Sequence, residues 1–314
     1  MQKTAAITGA TGFVGSHAVR RLIEAGWRVR LLSRRLPIHP NLPDASLEVV
    51  IGDLDDPRAL RSLVRDADAV VHVAGLIKGR TRAEIFETNV TGTQRLAEIA
   101  TSQQTKPRFV LISSIAAREP SLSDYAASKN AGESALAANA ADMSWTILRP
   151  PAVYGPGDRE TLGFFRLVQR GWAVRPKTNG RLSMIHVTDL AEAIVHAAET
   201  LELGGAVLEL DDGRSGGYSW SDLISSAAGQ LGVRPMSFVM PSPLLTFAAG
   251  LGSAMSHLSG TPPTLNLQKL RELLHPDWVC HDTRPIAASG WRPSIGIDEG
   301  FARTVTWYRQ QGWL

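Results

Sequence analysis

The stretch Thr8-Gly-Ala-Thr-Gly-Phe-Val-Gly15 limits what this chain can fold into more than any other part of it. It follows the apolar run Thr4-Ala-Ala-Ile-Thr8 and leads into a helical pattern. At such a junction the glycines at 9, 12 and 15 each have a physical task. One makes a tight turn, one lets backbone approach a pyrophosphate, and one lets the helix pack closely on the sheet. The first helical turn adds free N–H groups and the positive end of its dipole. Glycine triplets alone are weak evidence, and a ligand-free turn is the alternative. The flanking strand and helix favour a dinucleotide site.

The first half repeats this alternation. Strands are expected at 4–8, 28–32, 47–51, 69–73, 109–113 and 146–148, and helices at 14–25, 58–64, 83–100 and 125–138. That order belongs to a parallel sheet with helices on both faces. Runs such as VVHV and FVLI are almost wholly apolar, as in strands covered on both sides. The expected fold class is α/β, a Rossmann-type doubly wound parallel sheet with a smaller, mostly helical C-terminal substrate lobe. Residues 1–155 form the dinucleotide-binding part, to which 182–212 return, and 156–181 with 213–314 form the lobe. Within the return, a strand is expected at 182–187, a helix at 189–199 and a strand at 207–210. The part just after Gly157 reads as basic and irregular, and Ser219 with Asp222 reads as a helix start.

The 314 residues are 44% hydrophobic and 20% charged, which is globular composition rather than disorder. A net charge of +3 and a pI near 9.2 suit an anionic ligand or membrane surface but are too weak to argue for nucleic acid. The single cysteine, Cys280, excludes an intrachain disulfide. It fits a reducing, cytoplasmic compartment, with peripheral contact at the inner membrane face as an alternative. The N-terminal run reads as a strand, not a secretory signal. The segment 241–260, PSPLLTFAAGLGSAMSHLSG, is the most apolar later stretch, yet its serines, glycines and His257 are poor material for a spanning helix. It is either a buried helix or a lining for an apolar ligand. His72, His186, His275 and His281 share no ligand spacing on one element, so no metal is expected. His72 is read as sitting near the cofactor for packing reasons, and nothing supports Cys280 as a nucleophile.

Beyond the second strand comes Ser33-Arg34-Arg35. An acidic residue there would bind ribose hydroxyls and favour NAD(H), whereas arginine can pair with a ribose 2′-phosphate. NADP(H) is therefore favoured, with Arg34 the better candidate and solvated surface arginines the alternative. Asp53, at the end of the third strand, could accept from the adenine amino group or simply cap a helix. Tyr125-Ala-Ala-Ser-Lys129 opens a helical stretch, and its spacing puts tyrosine and lysine on one face, a turn apart. An ammonium beside a phenol favours the phenolate, and such a tyrosine can deliver a proton to a carbonyl oxygen. The alternative is an ordinary amphipathic surface. Position favours chemistry, because the pair follows the FVLISS strand, which leaves Ser113 and Ser114 at the sheet's carboxyl edge.

TGATGFVG, GDL, HVAG, NVTGT, ISS, YAASK, RPPAVYGPGD and IHVTDLAEAI occur in the order seen in extended short-chain dehydrogenases/reductases, the NAD-dependent epimerase/dehydratase family. The chain resembles that family over essentially its whole length. The resemblance implies an NAD(P)-dependent oxidoreductase in which Ser114 hydrogen-bonds the substrate oxygen, with Ser113 a competing candidate. It implies Tyr125 as acid/base, Lys129 as its tuning residue and ribose ligand, and Asn89 as support for the helix backbone and a proton-relay water. Implied cofactor contacts are Gly9, Thr11, Gly12, Phe13, Val14 and Gly15 in the turn, then Arg34, Asp53, Leu54, Ala74, Gly75 and Pro150, beside Tyr125 and Lys129. Ile115 departs from the small residue often found after the serine.

The segment SSIAAREPSLSDYAASKNAGE is similar to a bacterial subgroup that includes NADPH-dependent reductases of 3-ketosphinganine and 3-ketoceramide. Reduction of a lipid ketone is the resulting expectation. One rival is a nucleotide-sugar epimerase or dehydratase with retained NAD, its diphosphate held by Arg166, Arg170, Arg175, Lys177 and Arg181. Those cations could equally form a solvated face or rest against anionic headgroups. A second rival, a non-catalytic cofactor-binding structural subunit, is weakened by the presence of Tyr125 and Lys129. Family members often form homodimers through helices matching 83–100 and 125–138.

Overall fold

In the computed structural model, which describes residues 2–36, 42, 47–200, 203–240 and 267–314, the buried run Thr4–Thr8 forms β1 of a seven-stranded parallel sheet. The apolar segment 241–260 lies outside the described residues. On one side of β1 stand β2 (Arg28–Ser33) and β3 (Leu47–Ile51). On the other stand β4 (Ala69–His72), β5 (Arg108–Ile112), β6 (Trp145–Arg149) and an edge strand, Ala206–Glu209. β1, β4 and β5 are buried at every position, as their apolar sequences require when both faces are covered. The covering helices include α1 (Phe13–Glu24), α2 (Pro57–Val64), α3 (Arg82–Phe86), α4 (Gly92–Thr101) and α5 (Asp124–Asn139). Leu60, Leu63, Leu96, Phe109, Leu136 and Ile147 knit helices to sheet in one core cluster.

The stretch expected as a continuous helix over 83–100 is interrupted by a π-helical turn, Glu87–Thr91, between α3 and α4. Asn89 sits in that turn and spends its side-chain amide on neighbouring elements. Gly132 of α5 comes so close that a Cβ there would lie 2.5 Å from the Asn89 carbonyl oxygen. Such bulges in helices frequently mark functional positions.

The chain divides into two units, one of Met1–Pro150, Leu190–Glu209 and Asp282–Arg292, the other of Pro151–Asp189, Leu210–His281 and Pro293–Leu314. In the second unit the part after Gly157 is not irregular, because a helix spans Leu162–Gln169 and a strand Trp172–Pro176. Phe165 and Val168 give that helix a buried face, with the Phe165 ring 4.9 Å from Phe301 and 5.7 Å from Tyr308. The strand expected at 182–187 splits into Arg181–Leu182 and Met184–His186, which belong to different sheets. Ser183 is the switch: its N–H closes the Arg181–Leu182 ladder on the Trp278 carbonyl, and its hydroxyl donates to Asp211. The helix start expected at Ser219 and Asp222 is that of the helix Trp220–Leu231, and the two residues cap it reciprocally. Among the described residues no helix is long and apolar enough to cross a membrane.

Candidate active site

All seven strands of the sheet in the first unit run parallel, so the segments that leave their carboxyl ends emerge on one edge. Leaving β1 is the glycine turn, leaving β2 is Arg34, leaving β3 is Asp53, leaving β4 are Ala74 and Gly75, leaving β5 is Ser114 and leaving β6 is Pro150. The sheet thereby collects onto one edge residues scattered over more than 140 positions of sequence.

The turn is built for close approach. Gly9 has a left-handed φ of 72°, and a Cβ on it would lie 2.5 Å from the Ala74 nitrogen. A Cβ on Gly15 would lie 2.0 Å from the Gly9 carbonyl oxygen, so only glycine lets α1 begin against the turn. No side chain caps α1 at Gly12, which leaves the N–H groups of Phe13, Val14 and the residues beside them to an outside acceptor. Ala74 donates its N–H to the Thr8 hydroxyl at 3.3 Å, which ties the β4 loop to the turn. These features fit a dinucleotide's pyrophosphate. Thr11 is exposed within the same turn. Arg34 is exposed and has no ion-pair partner among the described residues.

Asp53 does not cap the following helix. Its carboxylate accepts from the Asp55 N–H at 3.0 Å, while Asp56 caps α2 through the Arg58 and Ala59 N–H groups. Proline at the first helical position, Pro57, fixes the cap one residue before it. Leu54 packs towards Gly92, where a Cβ would meet its Cδ1 at 2.8 Å.

Tyr125 and Lys129 lie on the first two turns of α5, which Ser123 caps by accepting from Ala126 N–H at 3.0 Å. The Lys129 ammonium donates to the Ile112 carbonyl at the end of β5, 2.9 Å away. Burial lowers the Lys129 pKa to about 8, and the Glu133 carboxylate one turn on opposes that shift. Gly75 faces this lysine: a Cβ there would stand 3.2 Å from Lys129 Nζ and 3.1 Å from Asn89 Oδ1. Asn89 accepts from Leu76 N–H at 2.7 Å and donates to the Leu76 carbonyl and the Ser128 hydroxyl. It therefore locks the loop leaving β4 to the helix that carries Tyr125 and Lys129.

The two serines differ. Ser113 is 4% exposed and donates its hydroxyl to Glu133. Ser114 is half-buried and caps the short 3-10 turn Ile115–Arg118 by accepting from Ala116 N–H. α5 is tied to that turn by Asn130, which donates to the Ala117 carbonyl at 3.0 Å. Pro150 completes the edge, its carbonyl accepting from Ile115 N–H at 3.0 Å.

Sequence reasoning missed Glu133. It is 6% exposed and accepts from Arg149 as well as Ser113, so one carboxylate joins α5, β6 and the end of β5. Its only signal in the sequence is the spacing of four from Lys129. His72 is wholly buried between the Thr8 and Thr93 hydroxyls, at 2.6 and 3.0 Å. Burial first, and the Lys129 charge second, push its pKa down to about 3, so it is a neutral hydrogen-bonding strut. Of the lobe arginines, Arg181 donates to the Gly216 and Gly217 carbonyls and Arg166 to that of Trp313.

Comparison with known proteins agrees with this architecture. The family described as NAD dependent epimerase/dehydratase matches residues 5–208. The chain is 48% identical to a ceramide reductase of Caulobacter vibrioides over 98% of its own length and 95% of that protein. It is 26% identical to a 2-alkyl-3-oxoalkanoate reductase of Stenotrophomonas maltophilia, covering 95% of this chain and 97% of that one. Among solved structures, MoeE5 in complex with UDP-glucose and NAD superposes with a TM-score of 0.75 at 26% identity, covering 98% and 99% of the two chains.

Proposed function

The chain belongs to the NAD dependent epimerase/dehydratase family and is an NAD(P)-dependent oxidoreductase, and on that premise we propose that it reduces the ketone of a ceramide-like lipid with NADPH. The observation that carries the substrate class is the 48% identity, over nearly the whole of both chains, to a ceramide reductase. The exposed Arg34 at the end of β2 supports the phosphorylated cofactor, since a guanidinium can pair with a ribose 2′-phosphate.

The residues then divide the work. Gly9, Gly12 and Gly15 with the open end of α1 hold the pyrophosphate, and Lys129 holds the nicotinamide ribose. When bound, NADPH supplies the hydride that reduces the carbonyl carbon. Ser114 donates a hydrogen bond to the carbonyl oxygen and Tyr125 gives that oxygen its proton, so the product is an alcohol. The Lys129 ammonium, below its pKa of about 8, stabilises the phenolate that Tyr125 becomes. Asn89 keeps the two sides of the site in register through Leu76 and Ser128.

The experiment is to follow NADPH loss with 3-ketoceramide in detergent, for the native chain and Tyr125→Phe. The expected result is turnover that falls about 10³-fold in the variant with NADPH affinity unchanged. Equal turnover in both would remove Tyr125 from the chemistry. No NADPH consumption by the native chain, together with NAD retained through purification, would favour an epimerase instead.

A further inference from the structure

The strand Trp172–Pro176 pairs in parallel with Met236–Met240, with Met236 beside Trp172 and Phe238 beside Val174. Successive side chains in a strand alternate between faces, so Trp172, Val174, Met236 and Phe238 share one face of this ribbon. They are 48%, 36%, 63% and 42% exposed, and the Trp172 and Phe238 rings lie 5.3 Å apart. On the opposite face Ala173 is 1% exposed, while Val239 is 44% exposed and Ser237 is exposed as well. A two-stranded ribbon that met only water would carry polar residues on its open face. Here all four positions are apolar and two are aromatic.

The sequence flanking the two strands is basic, while the helices packed beside them carry Asp222 and Glu272. Residues 162–188 hold five cations and no aspartate or glutamate, and 232–240 add Arg234 and again no acid. Arg170 and Arg234 precede the two strands and Lys177 follows the first. All three are exposed, and none enters an ion pair among the described residues. A second copy of the chain would bring like charges together across such a contact. An anionic lipid surface would meet both halves of the pattern, aromatic rings at the interfacial layer and cations at the headgroups.

We propose that the open face of this ribbon docks the protein on an anionic phospholipid bilayer. Such docking would add a partner to the reaction proposed above, through the ribbon and its flanking cations. The test is co-sedimentation of the full chain with phosphatidylglycerol vesicles and with phosphatidylcholine vesicles, at low and high salt. Binding is expected to the anionic vesicles only and to weaken as salt screens the cations. The double variant Arg170→Gln, Arg234→Gln should lower the partition coefficient roughly 30-fold, at about fivefold per cation. Trp172→Ser with Phe238→Ser removes one cross-strand ring contact and should also release the protein from vesicles, while the chain without lipid keeps a cooperative melt at a modestly lower temperature. Unaltered vesicle binding in both variants, or equal binding to phosphatidylcholine, would overturn the inference. So would loss of the cooperative melt without lipid, which would mean that the rings belong to a core of the chain. A native dimer that the serine variant dissolves would likewise overturn it, in favour of a second copy. Ketone reduction in detergent, measured on the same serine variant, separates the two ideas. Retained turnover with lost vesicle binding supports docking, and an inactive native chain refutes the reaction while vesicle binding still decides the docking.

Discussion

Lys129 stands under two opposing influences, burial that lowers its pKa to about 8 and the Glu133 carboxylate that raises it. Its ammonium is therefore charged below about pH 8 and loses its proton as pH rises through that value. Removing Glu133 takes away the raising influence, so the lysine would lose its charge at lower pH. Glu133→Gln should accordingly shift the alkaline limb of the turnover profile towards neutral pH. The same change leaves Arg149 without its carboxylate, and breaking such a buried pair costs about 3 kcal/mol. A pH–rate series gives the first effect and a denaturant midpoint the second. A variant that loses stability but keeps its alkaline limb in place would make Glu133 a structural strut only.

Helix α1 depends on how closely it can begin against the β1 turn. A methyl group at Gly15 would stand 2.0 Å from the Gly9 oxygen, a backbone atom that cannot rotate away. Gly15→Ala should therefore push the helix start outward, weaken NADPH binding at least tenfold and lower the melting temperature by several degrees. A fluorescence titration with NADPH beside a thermal melt checks both, and an unchanged affinity would mean that the helix end does not bind phosphate. This element was legible in sequence because its demands are local: three glycines between an apolar strand and a helical period. The strand Trp172–Pro176 was not legible, because its outward face is apolar and the alternation that marks a half-buried strand is missing. The π turn at Glu87–Thr91 was equally hidden, since its apolar spacing matches a plain helix and its cause lies in Leu76 and Ser128. Of the candidate site, Tyr125, Lys129 and Asn89 could be read from motifs. Glu133 gained its meaning only when β6 brought Arg149 to it.

At the scale of the molecule, the segments of the two units alternate along the sequence, and the first takes Leu190–Glu209 and Asp282–Arg292 from beyond its main segment. A fragment ending at Pro150 would lack the strand Ala206–Glu209 that pairs with β6. It would also lack the carbonyls of Ala197 and Thr200 that accept from Arg108, a residue 6% exposed. Such a fragment is expected to bind a hydrophobic dye and to melt without a cooperative transition. A sharp, native-like melt would show that the first segment folds without the returns. The late strand also sets a clock for synthesis. β6 ends at Arg149, and its partner does not begin until Ala206. At roughly 5–20 residues per second, a ribosome needs on the order of 3–12 s to make that interval. For those seconds β6 waits without its outer partner in a chain whose apolar segments are still open, which is where another nascent chain, or a chaperone, would first take hold.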